Sequence, residues 1–157
     1  LVAFAALAVA CGLLIAIDLA VFRLPDVIVG PLYPILFAGL AVSAWLTDDW
    51  AGLGRAAAAA VALLGFYFVL ALINPSGLGL GDVKLSGALG ALLGWLGWPA
   101  VLAGTLAAFA LNAVVALVLL ASRRVTAKSG IAFGPAMILG AVLGAAYWVA
   151  RSTALAG

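Results

Sequence analysis

The stretch Pro99–Ala121, PAVLAGTLAAFALNAVVALVLLA, contains no charged side chain and a single amide, Asn112. A helix that crosses a bilayer needs about 20 apolar residues, and this stretch supplies them unaided. Outward from it, further segments of the same character run from about Leu1 to Ile17, Val27 to Leu46, Ala56 to Ile73 and Ile131 to Ala150, with a short one from near Asp82 to Leu96. They consume nearly all of the 157 residues, 69% of which are hydrophobic and 8% charged. Mean hydropathy is +1.40. Soluble domains carry roughly a quarter of their residues as Asp, Glu, Lys and Arg. Composition therefore excludes a soluble globular protein, a disordered chain and a nucleic-acid-binding module. The expected fold is all-α, a polytopic membrane protein of six transmembrane helices whose fourth is short or broken, in a single domain over 1–157.

Leu1 is not an initiator methionine and already stands in apolar sequence, so an upstream piece is expected to have been trimmed. With no basic stretch before the first apolar run, a cleavable signal peptide is not expected. Orientation follows from the basic residues, which collect on the cytoplasmic side. The first, third and fifth connections hold Arg23, Lys84, Arg123, Arg124 and Lys128, against Arg55 and Arg151 on the other side. This places the odd connections in the cytoplasm and both termini outside. Trp45, Trp50, Trp95, Trp98 and Trp148 then all fall at the outer interface, where indole rings favour the headgroup region. Gly87, Gly90 and Gly94, like Gly140 and Gly144, are spaced for close helix packing.

The residue census narrows the chemistry. There is no histidine and no glutamate, and the one cysteine, Cys11, lies in an apolar run. Zinc sites built from His and Cys, Ser–His or Cys–His nucleophiles and a disulfide framework are all excluded within this chain. The acidic residues are five aspartates. Asp48 and Asp49, flanked by tryptophans at the outer side, read as a solvated interfacial loop. Asp18 closes the first segment at its C-terminal end, where the helix dipole disfavours a negative charge. Asp82 suits an N-cap on the fourth helix, but Gly77, Gly79 and Gly81 weaken a span that is already short and permit another backbone to approach closely. Ionisable groups at such boundaries are costly and mark function. Two carboxyls at one site share a proton. The ionised member can then activate water while the protonated one donates to a carbonyl oxygen, as in aspartic proteases. Neither metal nor cofactor is needed.

Ile17-Asp18-Leu19-Ala20-Val21-Phe22-Arg23-Leu24-Pro25-Asp26 resembles the first signature of the type IV prepilin leader peptidases, an Asp followed some residues later by Leu-Pro-Asp. Gly79-Leu80-Gly81-Asp82-Val83-Lys84 is similar to their second, GxGD followed by x-Lys, and Phe133-Gly134-Pro135 to the element that opens their last helix. The resemblance implies a six-helix membrane aspartyl endopeptidase with Asp18 and Asp82 as catalytic residues. Pro25, Asp26, Gly79, Gly81 and Lys84 would shape the loops or bind substrate. It further implies a prepilin or pseudopilin substrate with a hydrophobic N-terminal helix. Its basic leader would be cut after glycine at the cytoplasmic face of the bacterial inner membrane. The family's N-terminal CxxC-bearing domain is absent from this sequence, which puts methyl transfer in doubt. For Asp26 a cap on the second helix fits the sequence. For Lys84, two residues from Asp82 and so on another face of a regular helix, a phospholipid or loop anchor fits best.

Two rivals stand beside this. Ser76 and Lys84 share the third connection and would serve a Ser/Lys peptidase. A small proton- or cation-coupled transporter would use Asp18 and Asp82 as ion carriers around a broken fourth helix. Asn112 serves that idea best, although an interhelical hydrogen bond is its plainer role.

Overall fold

Helix after helix follows from runs that offer the backbone no polar partner but itself, so every amide is satisfied within its own segment. The computed structural model describes residues 26–123 and 133–156. Within them lie five helices: α1 Asp26–Thr47, α2 Trp50–Ile73, α3 Leu80–Leu96, α4 Trp98–Ala121 and α5 Gly134–Ala156. No strand occurs among the described residues. Four helices are long and apolar enough to cross a membrane, within 30–47, 50–73, 98–121 and 134–155. This is a multi-pass membrane protein. The expected first span, Leu1–Ile17, lies outside the described residues. The expected fourth is α3, short at 17 residues but continuous.

Three boundaries depart from the sequence expectation. α2 starts at Trp50 rather than near Ala56, because Asp49 caps it: the carboxylate Oδ1 accepts the Gly52 N–H at 2.8 Å. Asp48 turns the chain with φ +56°, a left-handed conformation that Asp tolerates better than most residues. Asp49 is therefore a structural cap rather than part of a merely solvated loop. The early start also carries Arg55 inside the helix. α5 runs on past Ala150 to Ala156. α3 opens two residues before Asp82, at Leu80.

α3 is the centre of the bundle. Every residue from Leu85 to Gly94 is buried, as expected of a helix apolar on all faces. Its most extensive partner is α2, while α4 pairs with α5. Small residues make both seams. A Cβ on Gly94 would stand 2.5 Å from Ala59 Cβ, and one on Gly90 would stand 2.7 Å from the Ala59 carbonyl oxygen. Across the second seam, a Cβ on Gly140 would meet Gly104 O at 2.6 Å, and one on Gly144 would meet Ala100 O at 2.7 Å. The packing role expected for these glycines holds. α1 lays Leu32, Leu36 and Leu40, all buried, against the bundle as a stripe at every fourth residue.

The two ends of the bundle differ. At one, Arg55 reaches from α2 to the last turn of α3, Nε donating to Gly94 O at 2.9 Å and Nη2 to Trp95 O at 3.1 Å. Those carbonyls have no helical partner, and a cation there complements the negative end of the helix. Gly97, at φ +150°, turns the chain directly into α4, with Trp148 packed against it. All five tryptophans gather at this end. At the other lie Asp82, the end of α2 and the start of α5. Between the ends, Tyr67, Phe109 and Phe133 pack ring against ring, with centroids 5.3 Å apart for Phe109–Phe133 and 5.7 Å for Tyr67–Phe109.

Candidate active site

The site grows from the turn that follows α2. Asn74 closes that helix, its N–H bonded to Leu70 O. The chain then passes through Pro75 to Gly79, where the backbone is extended at φ −79°, ψ 156°. α3 begins at the next residue. Asp82 is the third residue of the helix, and its Oδ2 accepts the Gly79 N–H at 3.3 Å. This is the half of a capping box in which an acidic side chain reaches back to the N-cap amide. Asp82 is thus not the N-cap itself. It is half-buried, with Gly79 and Leu80 exposed beside it and Val83 buried beneath.

The glycines are not there for unusual dihedrals. Among the described residues Gly97 alone among glycines has a positive φ. A Cβ on Gly79 would meet nothing closer than Asp82 Oδ2, at 3.8 Å, which is ordinary van der Waals contact. Nothing inside the described fold requires glycine at position 79.

Around Asp82 stand residues that the sequence did not single out. Tyr67 is 2% exposed and lies within electrostatic reach of Asp82. Ser86, one turn further along α3, donates its hydroxyl to Val83 O at 2.6 Å, with Leu63 O of α2 a longer contact at 3.3 Å. Below them a cavity of about 10 Å³, lined by Tyr67, Ser86, Thr105 and Met137 among others, has room for one water molecule at most. Lys84 is exposed. Its backbone carbonyl accepts the hydroxyl of Tyr33 from α1 at 2.5 Å. A tyrosine inside an apolar span, between two prolines, is the sequence signal that would have pointed to Tyr33.

Of the remaining expected site residues, Asp26 opens α1, while Asp18 and Pro25 lie outside the described residues. Gly81 falls in the first turn of α3, next to Asp82. Among the described residues no three His, Cys, Asp or Glu side chains group as metal ligands. Ser76, the alternative nucleophile, donates its hydroxyl to Asn74 Oδ1 at 3.0 Å. Asn112 Oδ1 is buried with no hydrogen-bond partner among the described residues.

The arrangement offers one carboxylate at the mouth of a short buried helix. Comparison with known proteins adds the chemistry. The model of the type IV leader peptidase family matches residues 5–149. Two curated relatives, the prepilin leader peptidase/N-methyltransferases of Burkholderia pseudomallei strains 1026b and K96243, are each 36% identical over 132 residues. The match covers 80% of this chain and 40% of each relative. No solved structure matches the chain. These matches give the transporter alternative no support. A match of that extent, spanning the turn that carries Asp82, makes this chain a member of the type IV leader peptidase family.

Proposed function

We propose that this chain is a single membrane-embedded aspartyl endopeptidase domain over 1–157. It removes the basic leader from a prepilin or pseudopilin whose hydrophobic N-terminal helix approaches through the bilayer. Asp18 and Asp82 are the catalytic pair. The observation that carries this is the position of Asp82 in the first turn of α3, half-exposed, in a chain whose family is one of leader peptidases. Helix N-termini favour negative charge, so Asp82 suits the ionised member and Asp18 the one that holds the shared proton. The carboxylate takes a proton from water as the water attacks the scissile carbonyl carbon, while the acid donates its proton to the carbonyl oxygen. Collapse of the tetrahedral intermediate breaks the C–N bond: the proton gained from water passes to the departing amine, and a hydroxyl of the intermediate returns its proton to Asp18.

The topology proposed with it has six spans, both termini outside and the site facing the cytoplasm of the bacterial inner membrane. The placement of Lys and Arg supports that orientation. The 17 residues of α3 extend for about 25 Å, against a hydrocarbon core of about 30 Å. The tight turn at Gly97 holds the far end among tryptophans, so the deficit falls at Asp82, recessed where water can still reach it. Gly79, extended and with room for a Cβ, leaves its face open to a substrate backbone. Lys84 and the Pro25-Asp26 step shape the surrounding loops.

Asp18→Asn and Asp82→Asn, each expressed with a prepilin, test this. Processing should fall by about 10²–10⁴-fold or more while the protein still accumulates in the membrane. Normal processing by either variant would contradict the assignment.

A further inference from the structure

A side-chain hydrogen bond ties α1 to the helix turns that follow Asp82, and that bond is built into a notch. Tyr33 Oη donates to Lys84 O. In a regular helix that carbonyl pairs with the amide of Ala88, and the Ala88 backbone is itself a hydrogen-bond partner of the Tyr33 hydroxyl, so the hydroxyl seats against both ends of one helical rung. Its effect is to fix α1 against the first turns of α3. Two residues, about 3 Å of helix rise, separate Lys84 from Asp82.

The notch is Gly87. A Cβ there would collide with the Tyr33 hydroxyl and stand 3.2 Å from Tyr33 Cζ. Gly87 is buried and Tyr33 half-buried, so the hydroxyl occupies space that only glycine leaves. On its own helix Tyr33 lies between Pro31 and Pro34. Neither proline has an N–H to give, so α1 lacks two of its own rungs around Tyr33. The Leu32, Leu36 and Leu40 stripe supplies apolar contact but little register, whereas a directed hydrogen bond supplies register. Asp18 lies eight residues before the start of α1 in the sequence.

We propose that Tyr33 is a positioning residue. By clasping the Lys84 carbonyl within the Gly87 notch, it sets the place of the Asp82 turn relative to α1. This rests on the peptidase reading of Asp82. Tyr33 does not touch substrate. It acts on how often the Asp82 carboxylate is held where it can react.

Steady-state cleavage of a synthetic leader-bearing peptide by the purified protein tests this, with Tyr33→Phe, Gly87→Ala and the double variant, alongside thermal melting of each. Tyr33→Phe keeps the ring and loses the hydroxyl. It should lower kcat about tenfold, the worth of one hydrogen bond, with KM and melting temperature near wild type. Gly87→Ala should lower kcat by displacing the hydroxyl, and should cost much less once Phe stands at position 33. Wild-type kcat in Tyr33→Phe overturns the proposal. So does a Tyr33→Phe loss that merely follows the loss of folded protein, or losses that multiply in the double variant. A wild type that leaves the leader uncut defeats the peptidase reading and this inference with it. A wild type that cuts beside an equally active Tyr33→Phe defeats this inference alone.

Discussion

The two ends of α3 are finished in opposite ways. At the tryptophan end, orphan carbonyls of the last turn receive a guanidinium from Arg55, and the chain turns through Gly97 with no slack before α4. At the aspartate end, the helix opens from an exposed turn, and Asp82 itself satisfies the Gly79 amide. One end is fastened by a residue with no part in the proposed chemistry. At the other the capping group and the proposed catalytic group are the same carboxylate. The bundle thus fixes the helix from behind and leaves its front turn accessible. That contrast predicts a separation: changes at the tryptophan end cost stability and spare chemistry, while changes at the aspartate end do the reverse.

The largest expected effect on the fold is at Arg55. Arg55→Ala removes two charge-assisted hydrogen bonds and leaves half-buried carbonyls unpaired, for about 2–3 kcal/mol. Thermal melting in detergent should show that loss, with cleavage per folded molecule unchanged. Gly144→Ala comes next. Its Cβ would press on Gly104 and the Ala100 carbonyl, an overpacking worth about 1–3 kcal/mol, again read by melting. Gly79→Ala sharpens the contrast from the other side. With room for the Cβ inside the chain, melting should not move, while KM for a leader peptide should rise several-fold as the added methyl meets the substrate backbone. Ser76→Ala should be the smallest, silent in both measurements.

Much of the fold was legible because apolar length is a blunt and strong signal. Val27–Leu46 is α1 to within a residue at each end, and Pro99–Ala121 is α4 to within one. The start of α2 was not legible, because a lone arginine in an apolar run reads as a boundary. Here the partner that lets Arg55 stay inside the helix is a pair of carbonyls about forty residues away, which no local pattern reveals. Asp49 does stand in the loop between α1 and α2, but only the geometry of the turn makes it a cap. At the proposed site, the resemblance of Gly79-Leu80-Gly81-Asp82-Val83-Lys84 to a family signature pointed to the turn that opens α3. Tyr67, an aromatic residue on an apolar face, carried no mark of which helix it meets, whereas Tyr33 was marked by its place between two prolines. Among the described residues the interhelical hydrogen bond expected of Asn112 is not made through its oxygen.

The convergence of Asp18 and Asp82 is the claim on which the chemistry depends. Its most direct test is intramolecular cross-linking of Asp18→Cys with Asp82→Cys in a Cys11→Ser background, in native membranes with a short thiol-to-thiol reagent. Leu63→Cys with Ser86→Cys, adjacent across the α2–α3 seam, serves as the positive control. The account predicts a cross-link for the aspartate pair that a leader-bearing peptide suppresses. A control pair that links while the aspartate pair does not, with reagents of any length, would contradict it.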